Sequence, residues 1–493
     1  MRQIPREQIL RRLRAENPWW DPPHEVSSLF RGWRPRPYLE LFYPLVAERK
    51  VRRAVVLMGP RRVGKTVMIH HTIQRLLASD VEPRRIFYVS VDHPLYNGLA
   101  LEELLALYAE ATGEDLRTGP AYVFFDEIQY LRDWEAHLKS LVDSYPELRC
   151  VSSGSAAAAL RLKSHESGAG RFTDFLLPPL TFHEYLVLLR EEGVIEKKLP
   201  RSGKKLLSPA DVASLNRRFV EYLNFGGYPE AVFSEEIQSD PARFIKSDII
   251  DKVLLRDLPS LYGIQDIQEL NSLFTRLAYN TAGEVSLDEL SKGSGVAKNT
   301  IKRYIEYLEA AFLISVVHRL DRDARRFKRA VTFKVYLTNP SMRAALFAPV
   351  TEEDPAMGPM VETAIVAQWL HWDRSGLHYA RWPRGEVDVV ILNARGQAGE
   401  LLEVKWSDRI VDHLDELKPL ADLALRTKPH VGATVTTRTR LETRTLDGVP
   451  LFFMPASVYC YLTGRMILSA KGSLPGLAAG ELSVDQNRAA DEP

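Results

Sequence analysis

The spacing of apolar and polar positions changes character several times along the chain, and each change predicts a different kind of element. Between Val51 and about Thr181, short β-branched runs, "RRAVVLMG", "RRIFYVSVD", "AYVFFDE" and "LRCVSSGS", alternate with stretches of helical period. That rhythm predicts an α/β domain with a mostly parallel sheet. Residues 182 to about 260 read as helices, broken by the charged run "EEGVIEKKLPRSGKK", which predicts an exposed loop or insertion. Residues 265 to 338 begin helical and turn to strands, and residues 355 to 465 repeat the α/β pattern on a smaller scale. The first 50 residues are rich in Arg, Trp and Pro, with an amphipathic run near "YLELFYPLVAERK" leading helically into the first strand. From about Gly472 the chain is dominated by Ala, Gly and Asp, a composition that predicts disorder.

Composition narrows this picture. At 493 residues and 45% hydrophobic the chain can bury more than one core, and ~150 residues per domain makes three domains the starting expectation. No window approaches the ~18 uninterrupted apolar residues of a membrane span, and the opening "MRQIPREQILRRLRAENPWW" has no apolar signal-peptide core. A soluble, cytoplasmic protein with no membrane partner is expected. Cys150 and Cys460 make no metal-ligand spacing, which argues against structural zinc and fits a reducing compartment while leaving one bridge open. The formal net charge is +1, so any nucleic-acid contact must come from local patches.

The first candidate chemistry lies after the strand "AVVLM". Gly59, Pro60, Arg61, Arg62, Val63, Gly64, Lys65 and Thr66 spell "GPRRVGKT" and open the amphipathic helix "VMIHHTIQRLL". A glycine-rich turn between a strand and a helix is a P-loop: backbone N–H groups and the helix N-terminus cradle phosphates, Lys65 reaches the β and γ oxygens, and Thr66 ligates magnesium. The apolar strand "YVFFDE" ends in Asp126, placed to hold the magnesium through water, and Glu127, placed to polarise an attacking water. ATP with Mg2+ is the expected cofactor pair, and a general base points to hydrolysis. The strand "RCVSSGSAA" ends in Ser153 and Ser155, small polar residues suited to sensing the γ-phosphate, although such strand ends are also common turns.

Taken together, "GPRRVGKT", "FFDEIQY", "SGSAA", "GRFTDFLLPPLTFHEYL", "GGYPEAV" and "GEVDVVI…LLEVKWS" resemble the prokaryotic AAA+ ATPase family of the archaeal-ATPase type, which carries a C-terminal domain of the kind called DUF4143. The resemblance runs from about Arg34 to Thr463 with its motifs in family order. It implies an α/β protein with a P-loop AAA+ core over 51–181 and a helical lid over 182–262. An N-terminal helical segment (1–50) precedes them. A winged helix (263–340), a nuclease-like α/β domain (355–468) and a disordered tail (470–493) follow. It also implies an ATP site at a subunit interface of a homo-oligomer, expected to be a hexameric ring. Arg171 in "AGRFTDF" stands in the motif that supplies an arginine from a neighbouring subunit.

The run "VSLDELSKGSGVAKNTIKRYIEYLEAAFLISVVHRL" has helix-turn-helix spacing. Ser286 caps a helix with an acidic first turn, Gly295 makes the turn, and Ile301, Tyr304, Ile305 and Leu308 share one face of the next helix. The opposite face offers Lys298, Asn299, Lys302 and Arg303 where a recognition helix would meet DNA. Arg325, Arg326 and Lys328 follow in "RDARRFKRAV", and between Lys298 and Lys334 there are ten Lys or Arg against four Asp or Glu. Such an excess favours phosphate contacts with little sequence reading.

Further on, Glu403 and Lys405 stand two apart in "ELLEVKWSD", so alternation along a strand puts them on one face. Asp388 ends or interrupts "EVDVVI", and Glu362 lies on the helix "MVETAIVAQWL". Helix Glu, strand Asp, then Glu-x-Lys resembles the PD-(D/E)xK nuclease core. On that reading Glu362, Asp388 and Glu403 would gather Mg2+ or Mn2+ near a scissile phosphate while Lys405 positions or deprotonates water. The alternative is a salt-bridged strand pair in a nuclease-like fold that only docks a partner. Two functions follow: an ATP-driven DNA motor fused to an endonuclease for branched or broken DNA, such as Holliday junctions or forks in repair, recombination or defence, or a regulatory nucleotide switch.

Overall fold

The apolar runs of the first third form five strands: β1 (Ala54–Met58), β2 (Ile86–Ser90), β3 (Ala121–Asp126), β4 (Leu148–Gly154) and β5 (Phe172–Leu176). They pair in the order β2-β3-β4-β1-β5, and every pairing is parallel. β1, β3 and β4 are buried along their whole length, which is why they read as continuous apolar runs without alternation. The computed structural model describes residues 5–154, 170–192, 208–325, 332–370 and 376–469. The chain divides into two compact units, Met1–Pro178 and Pro179–Pro493. Ser155, Arg326, Lys328, most of the charged run after Glu191 and the tail lie outside the described residues.

In the first unit the strand order sets the site. β4 lies between β1 and β3, so the C-terminal ends of β1 and β3 are two strand spacings apart, roughly 10 Å, with the end of β4 between them. The N-terminal segment covers the free edge of β2. Asn17 is buried and pairs with Tyr88 in both directions, its Nδ2 donating to Tyr88 O (2.8 Å) and its Oδ1 accepting from Tyr88 N (2.7 Å). The indole N–H groups of Trp19 and Trp20 both donate to Ile86 O, at 3.0 and 2.8 Å. A sheet edge with open N–H and C=O groups is a liability for association, and these three side chains close it.

The second unit is built on nine strands: β6 (Glu284–Ser286), β7 (Ile314–Leu320), β8 (Thr332–Leu337), β9 (Leu377–Trp382), β10 (Gly385–Leu392), β11 (Ala398–Glu403), β12 (Gly432–Thr437), β13 (Glu442–Leu446) and β14 (Val449–Pro455). Their order is β13-β14-β12-β11-β10-β9-β7-β8-β6. Ser286 caps the helix Leu287–Ser294 through a capping box with Glu289, and Gly295 ends it at φ +75°. Ile301, Tyr304, Ile305 and Leu308 of the helix Lys298–Ala310 are all buried.

The boundary expected between residues 340 and 355 does not separate one sheet from another. β7 pairs in parallel with β9, His318 opposite His378 and Leu320 opposite Ala380, so the strands of the 263–340 segment continue the sheet of the 355–468 segment. Nor does the 182–262 segment stand alone, because Phe182, Tyr185, Phe219 and Tyr222 share one core with Ile365, Tyr379, Val389, Leu402 and Tyr459. Periodicity marks where an element lies and which face is apolar. It does not say which sheet the element joins.

Candidate functional site

The phosphate loop follows β1 because the chain must turn sharply from the sheet into the helix Lys65–Leu77. Two glycines make that turn. A Cβ at Gly59 would lie 2.1 Å from Leu177 O, and Gly64 sits at φ +91°, a conformation that side-chain-bearing residues rarely adopt. Arg36, buried, steadies the loop by donating to Val63 O (2.8 Å) and Pro178 O (3.1 Å). Lys65 Nζ, also buried, donates to Gly59 O (3.0 Å) and Pro60 O (2.8 Å). A phosphate offers that ammonium stronger, charge-assisted acceptors than two neutral carbonyls.

Asp126, at the end of β3, is the hub. Its Oδ2 accepts from Thr66 Oγ1 at 2.7 Å and from Tyr88 OH at 3.0 Å, and its Oδ1 accepts from Ser153 Oγ and from the Glu127 N–H at 3.1 Å. The strand order explains the gathering: Thr66 comes from the first turn of the helix after β1, Ser153 from β4 between, and Tyr88 from β2 on the far side. Burial, and then the Asp126 charge, push the Tyr88 hydroxyl well above the ordinary tyrosine range, so it acts as a donor. Glu127 has left-handed backbone (φ +56°), which turns its side chain out of the strand direction, and it accepts from Gln129 Nε2. A hydroxyl and a carboxylate side by side are a donor set for magnesium: Thr66 and Asp126 would hold the ion, which supplies charge neutralisation for phosphate oxygens.

Residues 51–186 match the family model of an AAA domain. This segment is similar to AAA domains. A second match, over residues 216–353, is to a domain of unknown function, DUF8612, so the match found there is not the DUF4143 type that the sequence resemblance implied. Two uncharacterized proteins of Methanocaldococcus jannaschii are similar over most of the chain. MJ1637 is 25% identical over 362 residues, spanning 70% of this chain and 74% of its own length, and MJ1544 is 25% identical over 357 residues, 71% and 74%. Among solved structures, the Aeropyrum pernix ORC2 protein in ADPNP–ADP complexes is similar with a TM-score of 0.35 and 14% identity, covering 66% of this chain and 96% of that one. The Aeropyrum pernix ORC1 protein in complex with DNA gives 0.32 and 13%, covering 66% and 95%. TM-scores this low do not establish a shared overall fold.

Arg171 precedes β5, half-exposed, and its Nε donates to Asp143 Oδ1 at 2.6 Å. Because β5 is parallel to β1 with Ala54 opposite Phe172 and Met58 opposite Leu176, Arg171 lies at the strand end away from the AAA domain's own P-loop, roughly 15 Å along the strand. In the second unit Lys298, Asn299, Lys302, Arg303 and Arg325 are all exposed. Lys298 pairs with Asp288, and Lys302 lies 3.9 Å from Glu306.

The carboxylate and lysine positions read from the C-terminal sequence come together in the second unit. Asp388 sits where the pairing of β10 with β9 slips between Val387 and Val390, a bulge that re-aims the side chain. Asp388 Oδ2 accepts from Val404 N at 2.9 Å and lies 3.7 Å from Lys405 Nζ, which is 2.6 Å from Glu403 Oε1. Lys405 lies just past β11, held because its N–H and C=O both bond to the Thr436 hydroxyl. Sequence reasoning missed the group at the centre. Lys334 Nζ, from β8, lies 3.0 Å from Glu362 Oε1, 3.0 Å from Glu386 Oε1 and 3.5 Å from Asp388 Oδ1, with Tyr336 OH donating to Glu362 Oε1 at 2.6 Å.

Burial raises the Glu362 and Glu403 carboxyls above the ordinary glutamate range, and the Asp388 charge adds to it; Lys334 and Lys405 respectively oppose the shift. Burial works against the charge of Lys334, and Glu362, Asp388 and Glu386 more than offset it, leaving its pKa above the usual lysine value. Among the described residues no group of three or more His, Cys, Asp or Glu is arranged to hold a metal ion. Where a divalent ion was expected at Glu362, Asp388 and Glu403, the Lys334 ammonium lies against Glu362 and Asp388, and Lys405 lies against Glu403.

Proposed function

We propose that the chain is an ATP hydrolase working as a nucleotide-controlled switch, whose C-terminal body docks duplex DNA and does not cut it. The observation that carries the first half is the convergence of Thr66, Tyr88 and Ser153 on Asp126 beside Glu127. That network links the P-loop to the strand end suited to sensing a γ-phosphate, so loss of the phosphate alters hydrogen bonds on three strands. The position of Arg171 at the strand end away from its own P-loop supports a role in a neighbouring subunit of a ring.

The DNA half rests on the exposed cations of the 298–325 segment. Exposed ion pairs such as Lys302 with Glu306 are worth about 0–1 kcal/mol and exchange readily for phosphates. Duplex binding should weaken steeply with salt, and replacing Lys302, Arg303 and Arg325 together by Ala should reduce the log–log salt slope by roughly one unit per lost phosphate contact. An unchanged slope and affinity would assign this face to a protein partner.

Cleavage of branched DNA is the second reading, favoured by the gathering of Glu362, Asp388, Glu403 and Lys405 from one helix, the bulge of β10 and the end of β11. Lys334 weighs against it. On linear, forked and four-way substrates, with magnesium or manganese and with or without ATP, the wild type should cut none. Metal-dependent cleavage lost in Asp388→Asn would establish the nuclease and remove the docking reading.

A further inference from the structure

Resting on the docking reading, we infer that the ammonium of Lys334 is the resident cation of the Glu362–Glu386–Asp388 cluster and bars a divalent ion from it. The oxygens that would face a metal already have donors. Glu362 Oε1 takes both Lys334 and Tyr336, Glu386 Oε1 takes Lys334, Asp388 Oδ1 takes Lys334, and Asp388 Oδ2 takes the Val404 N–H. Three acids around one nitrogen at 3.0–3.5 Å is ammonium geometry. A divalent ion needs its oxygens at about 2.0–2.6 Å and cannot share that space with a second cation, whose repulsion at such range is only weakly screened in a largely buried cluster.

The lysine is held at the cluster by burial and by its three acids. It is 4% exposed, its Nζ lies 5.4 Å from the centre of the Tyr379 ring, and β8 is paired on both flanks, with β7 and with β6. Moving the Lys334 ammonium out would leave Glu362, Glu386 and Asp388 without the cation they share. Lys405 differs: it is 36% exposed and can change partners without disturbing the sheet. The two lysines thus divide between them what a metal and a mobile lysine would do, and only the mobile one faces solvent.

The test is Mn2+ binding to the full chain without nucleotide, measured by calorimetry and by electron paramagnetic resonance, for wild type, Asp388→Asn, Lys334→Gln, Lys334→Arg and Lys334→Gln/Asp388→Asn. Lys334→Gln should gain one Mn2+ site about 10–100-fold tighter than anything at this cluster in the wild type, absent from Lys334→Arg and lost again in the double variant. Folded Lys334→Gln that gains no such site overturns the inference and leaves the docking reading standing. A wild-type Mn2+ site abolished by Asp388→Asn overturns both. If Lys334→Gln does not fold in metal-free buffer, recovery of its fold on adding Mn2+ supports the inference, and failure to recover with Mn2+ overturns it.

Discussion

Arg171→Ala should lower ATP turnover by about 10³-fold while leaving ATP affinity nearly unchanged, because a positively charged group supplied to the transferring phosphoryl acts on the transition state and not on the ground state. The side chain cannot do this in its own subunit. Its strand end lies away from the P-loop, and its resting partner is Asp143 in an exposed ion pair that costs little to break. The defect should therefore be complemented. Mixing Arg171→Ala with Lys65→Ala subunits should restore activity at intermediate ratios, since some interfaces then combine an intact Lys65 with an intact Arg171. Activity that stays flat at every ratio would remove the cross-subunit role.

Glu127→Gln should bind ATP as the wild type does and turn it over at least ~10²-fold more slowly. The substitution keeps the shape of a side chain held by Gln129 and leaves the Asp126 hub untouched, so phosphate grip and metal donors survive while the base is lost. Measured by single-turnover hydrolysis beside equilibrium ATP binding, the two effects separate. Turnover near the wild-type rate would take Glu127 out of the reaction.

The features of these sites that were legible in the sequence are the ones held in contiguous motifs. The P-loop is eight consecutive residues, and its flanking strand and helix have different periods, so its place in the fold could be read directly. Tyr88 could not, because it reaches Asp126 only through the pairing of β2 with β3, which no local pattern encodes. Lys334 escaped for a similar reason. It belongs to a run rich in Lys and Arg, and charge counting assigns it to a solvated wing, whereas β8 carries it under the sheet surface to acids on a helix and on β10. A signal was present: in "TFKVYL" the lysine stands alone among apolar residues, which is where a buried ion pair would be sought. That the segments between 182 and 468 share one core could not be read either, because Phe182, Tyr222, Tyr379 and Tyr459 come together from positions far apart in the chain.

The central claim is that the AAA domain hydrolyses ATP through Lys65 and Asp126. The most direct measurement is phosphate release from ATP by the intact chain, with magnesium present or chelated, beside Lys65→Ala. Magnesium-dependent release that disappears in Lys65→Ala is the predicted result. Release no faster than the uncatalysed background, with duplex DNA present or absent, or equal release from Lys65→Ala, would contradict it.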